Sequence, residues 1–145
     1  MVEQPEASPG FLLWHVSLQW QRSVTAALKP LGLTHVQFVL LASTWWLNTQ
    51  DEQPNQATLS AFAGTDVKMT SQVIRTLEQK GLVTRAVDAA DTRARRIVVT
   101  AAGRALAPRA IDAVEAVDAA LLNELSRTSA QAFTNALRQL RHRHP

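Results

Sequence analysis

Apolar residues recur at intervals of three and four along much of the chain, which is the period of an amphipathic α-helix. The first such stretch covers residues 11–28 and stops before Pro30. A second helix is predicted from Thr34, a good N-cap residue, to about Leu47. Two more are predicted near the C-terminus, at about residues 101–125 and 129–141, the former containing Pro108, which favours a kink.

The middle of the chain carries a different pattern. After a polar loop at residues 48–55, a short helix is predicted at about residues 57–63, followed by a longer one that begins at Asp66 and stops at Gly81. Four apolar side chains of the longer helix are expected to be buried, namely Val67, Val73, Ile74 and Leu77. Two β-favouring runs, LVTRAV and RIVVT, then enclose a polar segment and predict a two-stranded hairpin.

Composition adds an asymmetry of charge to this picture. The chain has 145 residues, of which 46% are hydrophobic, so it can bury a core, and its net charge of +3 is too small to indicate a nucleic-acid partner by itself. Positive charge is nevertheless concentrated around the predicted hairpin, where two aspartates accompany Arg85, Arg93, Arg95, Arg96 and Arg104. A phosphate-binding surface is therefore expected there.

Several chemistries are excluded or disfavoured. The chain has no cysteine, so disulfides, thiolate metal sites and cysteine nucleophiles are ruled out. Without a signal peptide or an apolar run of about 20 residues, it is expected to be cytoplasmic and to have no membrane partner. Its histidines follow no metal-ligand spacing, so no metal or other cofactor is expected: His15, His35, His142 and His144. A small hydrolase or isomerase that uses His15 or His35 is a minor alternative.

Two short helices separated by a tight turn and followed by a basic hairpin are the elements with which a winged helix-turn-helix reads duplex DNA. The segment from Leu59 to Gly103 resembles the central region of the MarR (multiple antibiotic resistance regulator) family. The shared motifs are a recognition helix that ends in LEQKGLV, a wing motif at residues 91–94 (DTRA) and an exit at residues 99–103 (VTAAG). The flanking helices also agree with the family in order and length.

The resemblance implies a mainly α fold in which a winged helix-turn-helix domain, with a two-stranded β-hairpin wing, is flanked by N- and C-terminal helices that form a helical dimerisation domain. We expect a flexible N-terminus at residues 1–10 and dimerisation helices at residues 11–48 and 104–145. The DNA-binding domain is expected at residues 49–103.

The resemblance also implies individual roles. Base contacts in the recognition helix fall on Lys68, Thr70, Ser71, Gln72 and Arg75. Gln72 stands where the family often has arginine and Arg75 where it often has an acid, which leaves the operator sequence open. In the wing, Asp91 is expected to hold Arg93 in an ion pair. The wing's DNA-binding set is Arg93, Arg95 and Arg96, with Arg93 more an anchor than a reader.

The terminal helices predict a homodimer, because their apolar stripes would be exposed in a monomer. A two-fold pair would also set two recognition helices about one turn of DNA apart, as a pseudo-palindromic operator requires. The alternative is that these helices fold back on their own domain. The four tryptophans, Trp14, Trp20, Trp45 and Trp46, are expected mainly in the core and the dimer contact.

The expected function is that of a sequence-specific double-stranded DNA-binding transcriptional regulator without catalytic activity, and a repressor by resemblance. A second interpretation of the tryptophans is a pocket for a small aromatic or anionic effector, to which His15, Trp20 and Arg22 would contribute. The alternative function is a protein-interaction module on a winged-helix scaffold without DNA binding, since a fold alone does not fix a function.

Overall fold

A computed structural model describes residues 4–87, 90 and 95–143, and the fold is mainly helical with one antiparallel hairpin. Short 3-10 turns at Pro5–Ala7 and Lys29–Leu31 accompany the main elements. In chain order the main elements are α1 (Pro9–Leu28), α2 (His35–Thr49), α3 (Gln56–Ala63), α4 (Val67–Gln79), β1 (Val83–Val87), β2 (Arg95–Val99), α5 (Ala101–Leu122) and α6 (Arg127–Arg143). The predicted fold class is confirmed, and α5 continues through Pro108 as one helix.

The first helix begins earlier than predicted. Residues 5–7 form a 3-10 turn, and α1 begins at Pro9 rather than at residue 11, while the flexibility of residues 1–10 stays a prediction. The reason is local, because the Ser8 side chain accepts a hydrogen bond from the Phe11 amide at 3.3 Å. Pro9 also supplies a helical φ at the first position of the helix, where an amide proton is not needed.

Polar N-caps explain where the other helices begin. At the start of α2, Thr34 and Gln37 form a capping box, with Gln37 N donating to Thr34 Oγ1 at 3.3 Å and Thr34 N donating to Gln37 Oε1 at 3.2 Å. Asn55, Asp66 and Thr100 cap α3, α4 and α5 in the simpler way, each through its side-chain oxygen.

One continuous core lies between the helices and the hairpin, with α2 at its centre in contact with α1, α3, α4, α5 and β2. Every one of these elements contributes side chains that are almost fully buried: Val24, Leu28, Leu40, Leu41, Leu59, Ile74, Leu77, Ile97, Ala107 and Ala110. The helices α3 and α4 and the strand β2 therefore pack directly against the long helix α2.

The backbone that follows β2 packs closely against the backbone that follows α4. Thr100 donates from its amide to Leu82 O at 3.0 Å and from its hydroxyl to Gly81 O at 2.7 Å. At Gly103 a Cβ atom would collide with the Leu82 carbonyl oxygen. Glycine is required in the exit motif because the first turn of α5 lies directly on this backbone.

The final helix stands apart from the core. Along residues 127–141 every side chain is exposed except Ala130, which is half-buried. This includes the apolar face of α6, where Phe133, Leu137 and Leu140 are 38%, 43% and 60% exposed. The predicted apolar stripe therefore exists, and it stays exposed within the part of the chain that the structure describes.

Among the described residues no single helix has the length and apolar character to cross a membrane. By length and composition alone, one pair of helical segments together would reach that threshold, Pro9–Leu31 with His35–Thr49, and these are bent by 72° at the break between them.

Candidate nucleic-acid interface

The helix α4 has one buried and one exposed face. Ile74 and Leu77 are completely buried, whereas Lys68, Gln72 and Arg75 are exposed. Spacings of four and three residues place these three polar side chains on one outward stripe. The stripe continues one turn further at the exposed Gln79, which the sequence reasoning missed although its spacing of four from Arg75 signals it.

Two residues of α4 contradict their predictions. Thr70, expected to contact DNA, is 0% exposed. Its hydroxyl donates to Asp66 O at 2.7 Å and lies 2.6 Å from Thr65 Oγ1, so it faces the interior and cannot reach a base. Val67, expected in the core, is 61% exposed in the first turn, where the chain has only just left the α3–α4 turn. Ser71 is half-buried at the edge of the outward stripe.

An exposed valine beside the polar stripe adds a chemistry that the sequence reasoning did not assign. In the major groove the thymine methyl group is recognised by apolar contact, and valine has a suitable size for it. Lysine and arginine suit guanine, and glutamine suits adenine. The exposed surface at the start of α4 therefore offers partners for both kinds of base pair.

The wing is a short hairpin with a firmly held base. Its register runs from Val83 opposite Val99 to Val87 opposite Arg95. The amide of Ile97 donates to Pro54 O at 2.9 Å, and the amide of Val99 donates to Asn48 Oδ1 at 2.9 Å. The end of α2 and the following loop thus fix β2.

The predicted wing residues have different surroundings. Arg95 is exposed at the tip end of β2. Arg96 is half-buried, and its Nη1 donates to Gln53 O at 3.0 Å, which ties it to the loop before α3. Asp91 and Arg93 lie outside the described residues, so their ion pair stays a prediction.

The remaining arginines of the basic segment also separate in space. Arg85 Nε lies 3.7 Å from Glu78 Oε1, which links β1 to the end of the recognition helix. Arg104 is exposed on the first turn of α5. These arginines therefore form two groups. Arg95 and Arg104 are exposed and can meet a ligand, whereas Arg85 and Arg96 hold the wing in place.

The residues proposed for an effector pocket do not converge within one chain. The indole Nε1 of Trp20 donates to Asp118 Oδ1 at 2.7 Å. Trp20 also lines a cleft of about 330 Å³ between α1, α5 and α6, whose lining is apolar except for Ser17, Asp118 and Thr134. His15 and Arg22 are exposed and do not line this cleft, and the ring of His15 packs on Phe11 with a centroid distance of 4.3 Å.

A histidine at the start of α2 contacts the same tryptophan. The ring of His35 meets the indole of Trp20 edge-on, with centroids 5.1 Å apart. Burial lowers the pKa of His35, because the charged imidazolium loses solvation there. Trp20 and Trp45 are half-buried, whereas Trp14 and Trp46 are 64% and 50% exposed, so the expected placement of the tryptophans in the core or the dimer contact stays a prediction for the two exposed ones.

Comparison with known proteins gives a consistent result. The family model described as the MarR family matches residues 33–94. The HTH-type transcriptional regulator YdcH of Bacillus subtilis is 41% identical over 116 residues, which cover 80% of this chain and 79% of that protein. The HTH-type transcriptional repressor Rv2887 of Mycobacterium tuberculosis is 35% identical over 135 residues, covering 93% of this chain and 94% of the repressor.

Solved structures show the same arrangement of elements. CouR from Rhodococcus jostii RHA1, crystallised with p-coumaroyl-CoA, superposes with a TM-score of 0.83 at 27% identity and covers 96% of this chain and 95% of its own. Rv2887 in complex with DNA gives a TM-score of 0.72 at 34% identity, with 92% and 97% covered. Rv2887 has also been crystallised with salicylic acid, with a TM-score of 0.71 at 34% identity, covering 92% of this chain and 96% of that chain.

Proposed function

This chain belongs to the MarR family of transcriptional regulators, and from that premise we propose that it represses transcription as a homodimer bound to a pseudo-palindromic operator. The observation that carries the proposal is the outward stripe of Lys68, Gln72 and Arg75 on the first turns of a well-anchored helix. The N-terminal residues of a recognition helix are those that reach base edges in the major groove.

The recognition chemistry follows from the side chains. Gln72 can pair with adenine through two hydrogen bonds, and Arg75 can do so with guanine. Arg95, exposed at the tip end of the wing, is placed to meet a backbone phosphate, whereas Arg96 supports the wing through Gln53. Base contacts supply sequence preference and the phosphate contact supplies affinity that depends on salt.

The apolar faces of the terminal helices support the homodimer. Leu13 and Trp14 of α1 are 57% and 64% exposed, and the face of α6 is equally uncovered. The observed exposure of α6 argues against the alternative in which it folds back on its own domain. We assign the uncovered faces to a second copy of the chain, since pairing them removes apolar surface from water.

We further propose that a small aromatic acid releases the dimer from DNA. Support comes from Rv2887, whose crystal structures contain salicylic acid and p-aminosalicylic acid. The cleft beside Trp20 has Asp118 as its one charged lining residue, so an anion needs cations from elsewhere. His15 and Arg22, seven residues apart on one exposed side of α1, can supply them only where the second copy encloses that side. The effector must then bind the released form more tightly than the DNA-bound form.

Because its target is DNA, the proposal also places the protein in the cytoplasm. It assigns no catalytic step to the chain, in keeping with a family of transcriptional regulators. His35 then has a structural role, in which its ring packs on Trp20.

Selection of genomic fragments bound by the purified protein tests the main proposal. We expect enrichment of an inverted repeat whose half-sites lie about 10 base pairs apart, with affinity that falls linearly in a log-log plot against salt. The double variant Gln72→Ala, Arg75→Ala is the matched control, because both side chains are exposed and their removal leaves the core intact. A parent protein that enriches no sequence would favour the interaction module without DNA binding.

A further inference from the structure

The turn between α3 and α4 is closed by hydroxyl groups that face inward. Ser60 is 5% exposed, Thr65 is half-buried and Thr70 is completely buried. Ser60 Oγ donates to Thr65 O at 2.5 Å, and the hydroxyl oxygens of Thr65 and Thr70 are 2.6 Å apart. These three residues are called the turn hydroxyls below.

Counting protons gives the chain of hydrogen bonds a direction. A hydroxyl group has one proton to donate. Thr70 gives its proton to the carbonyl oxygen of Asp66 at 2.7 Å, so the proton between the two threonines must come from Thr65. In this arrangement Thr65 donates to Thr70, and Thr70 donates to the carbonyl oxygen of Asp66.

The same residues hold the backbone of the turn on both sides. The amides of Gly64 and Thr65 donate to Ser60 O at 3.0 and 3.2 Å, which ties the turn to α3. Gly64 has a φ of 75°, as a residue that ends a helix in the left-handed region requires. Thr70, in the second turn of α4, then ties the turn to the recognition helix through Thr65. The hydrogen bonds among Ser60, Thr65 and Thr70 involve only uncharged groups.

We propose that Thr70 is a positioning residue for operator reading. The chain from the Thr65 hydroxyl through Thr70 to Asp66 O sets the direction in which α4 leaves the turn. It thereby sets where the outward side chains Gln72 and Arg75 meet the bases. The inference rests on the DNA-reading function proposed above and assigns to Thr70 a role without any contact to DNA.

If Thr70 has this role, its loss should affect affinity for the operator and affinity for unrelated DNA to different extents. Hydrogen bonds to base edges weaken steeply with distance and angle, so a small change in the direction of α4 reduces them strongly. Coulomb attraction between arginine or lysine and phosphate changes only gradually with distance. Loss of the positioning contact should therefore reduce affinity for the operator much more than affinity for unrelated duplex DNA.

Thr70→Val tests the proposal, because it keeps a β-branched side chain and removes the hydroxyl. On the operator selected by the parent protein, we expect affinity to fall roughly five- to tenfold. Affinity for a scrambled duplex should stay within about twofold, with the same salt dependence. Thr70→Ser retains the hydroxyl and should restore operator affinity to that of the parent.

Thr76→Val is the matched control, since it makes the same change on the same helix outside the turn. Its hydroxyl donates to Gln72 O at 3.2 Å, within α4 itself. We expect both affinities to match those of the parent. The proposal is overturned if Thr70→Val weakens both duplexes equally. It is also overturned if this variant lowers the melting temperature and leaves operator affinity unchanged in the folded protein.

Thr65→Val removes the same link from its half-buried end and serves if Thr70→Val does not fold. The double variant should lose no more operator affinity than Thr70→Val alone, because Thr70→Val already removes the hydrogen bond that Thr65→Val removes. Additive losses would contradict the proposed chain. If the parent selects no operator, the DNA-reading function itself fails. If it selects one and the variants bind it equally, only this inference fails.

Discussion

The DNA-reading unit at residues 49–103 buries its core apolar side chains, whereas the terminal helix α6 leaves its apolar side chains exposed. In the former, Leu59, Ile74 and Ile97 are at most 1% exposed within a single chain. On α6, Phe133, Leu137 and Leu140 are 38–60% exposed. The DNA-reading unit is thus buried within its own chain, whereas the apolar face of α6 remains exposed, and we propose that a partner covers it. Stability and assembly should therefore respond to different mutations.

Leu137→Glu should have the largest effect, because it places a carboxylate at the centre of the uncovered α6 face. Burial of an unpaired charge is unfavourable by several kcal/mol, so the homodimer should dissociate. A single reading unit then contacts one half-site, and operator affinity should fall by at least about a hundredfold. Light scattering coupled to gel filtration measures the assembly, and a binding titration measures the affinity.

Gln131→Glu is the control for this experiment, since Gln131 is exposed on the opposite side of α6. It adds the same charge and should leave a dimer of normal affinity. Dissociation of both variants would mean that charge on the helix, rather than its apolar face, controls assembly. A dimeric Leu137→Glu protein would show that α6 is not part of the contact.

Gly103→Ala and Gly10→Ala should shift stability in opposite directions, which sharpens the contrast between the two regions. At Gly103 the new methyl group meets the Leu82 carbonyl oxygen, and we expect a loss of about 1–3 kcal/mol in the free energy of unfolding. Gly10 lies in the exposed first turn of α1, where an added Cβ makes only an ordinary contact with Ser8 Oγ at 3.9 Å. Alanine there should stabilise by up to about 1 kcal/mol.

Urea denaturation followed by circular dichroism measures both changes. A neutral Gly103→Ala variant would show that α5 can move away from the end of α4 without loss. In that case the close packing of the reading unit would be less strict than its buried residues indicate.

Sequence reasoning succeeded where local rules decide the structure. The helix starts at Thr34 and Asp66 and the stop at Gly81 follow from side chains that cap nearby amides and from a glycine that adopts a positive φ. The stripe of Gln72 and Arg75 follows from helical spacing. These features depend on residues a few positions apart, and the family resemblance supplied their order along the chain.

Sequence reasoning failed where tertiary contacts determine whether a side chain is buried or paired. The family resemblance implied a base contact for Thr70, but Thr65 and Asp66 O satisfy its hydroxyl in the interior. The arginines of the wing are close together in sequence, yet Arg85 pairs with Glu78 at the end of α4, and Arg96 donates to Gln53 O, 43 residues away along the chain. No local pattern separates a basic residue that binds DNA from one that supports the wing.

Arg75→Ala should alter base preference without altering stability, because the side chain is exposed on α4. We expect a loss of about 1–3 kcal/mol for the operator and a relaxed preference at one position in each half-site. Gln72→Ala should act in the same way at a different position. Titration against a set of operators with single base changes provides the measurement.

Arg95→Ala is the comparison for these two variants. It should weaken binding to all sequences alike and reduce the slope of log affinity against log salt by about one. If Arg75→Ala also weakened every sequence alike, Arg75 would contact phosphate, and the assignment of the outward stripe to base reading would be wrong.

His35 should give the smallest effect, at the junction where α2 meets the Trp20 ring of α1. Burial lowers its pKa in the folded protein, so the unfolded chain binds the proton more readily. This contribution to stability is complete above the ordinary pKa of 6.5 and is lost as the pH falls through that value toward the lower folded pKa. The melting temperature should therefore drop between about pH 7.5 and 5.5.

Two variants serve as controls for this pH dependence. The melting temperature of His35→Asn should drop less over the same range, whereas that of His15→Asn, which changes an exposed ring, should follow the parent. Equal drops in the parent and His35→Asn would show that the pH sensitivity does not arise at this junction.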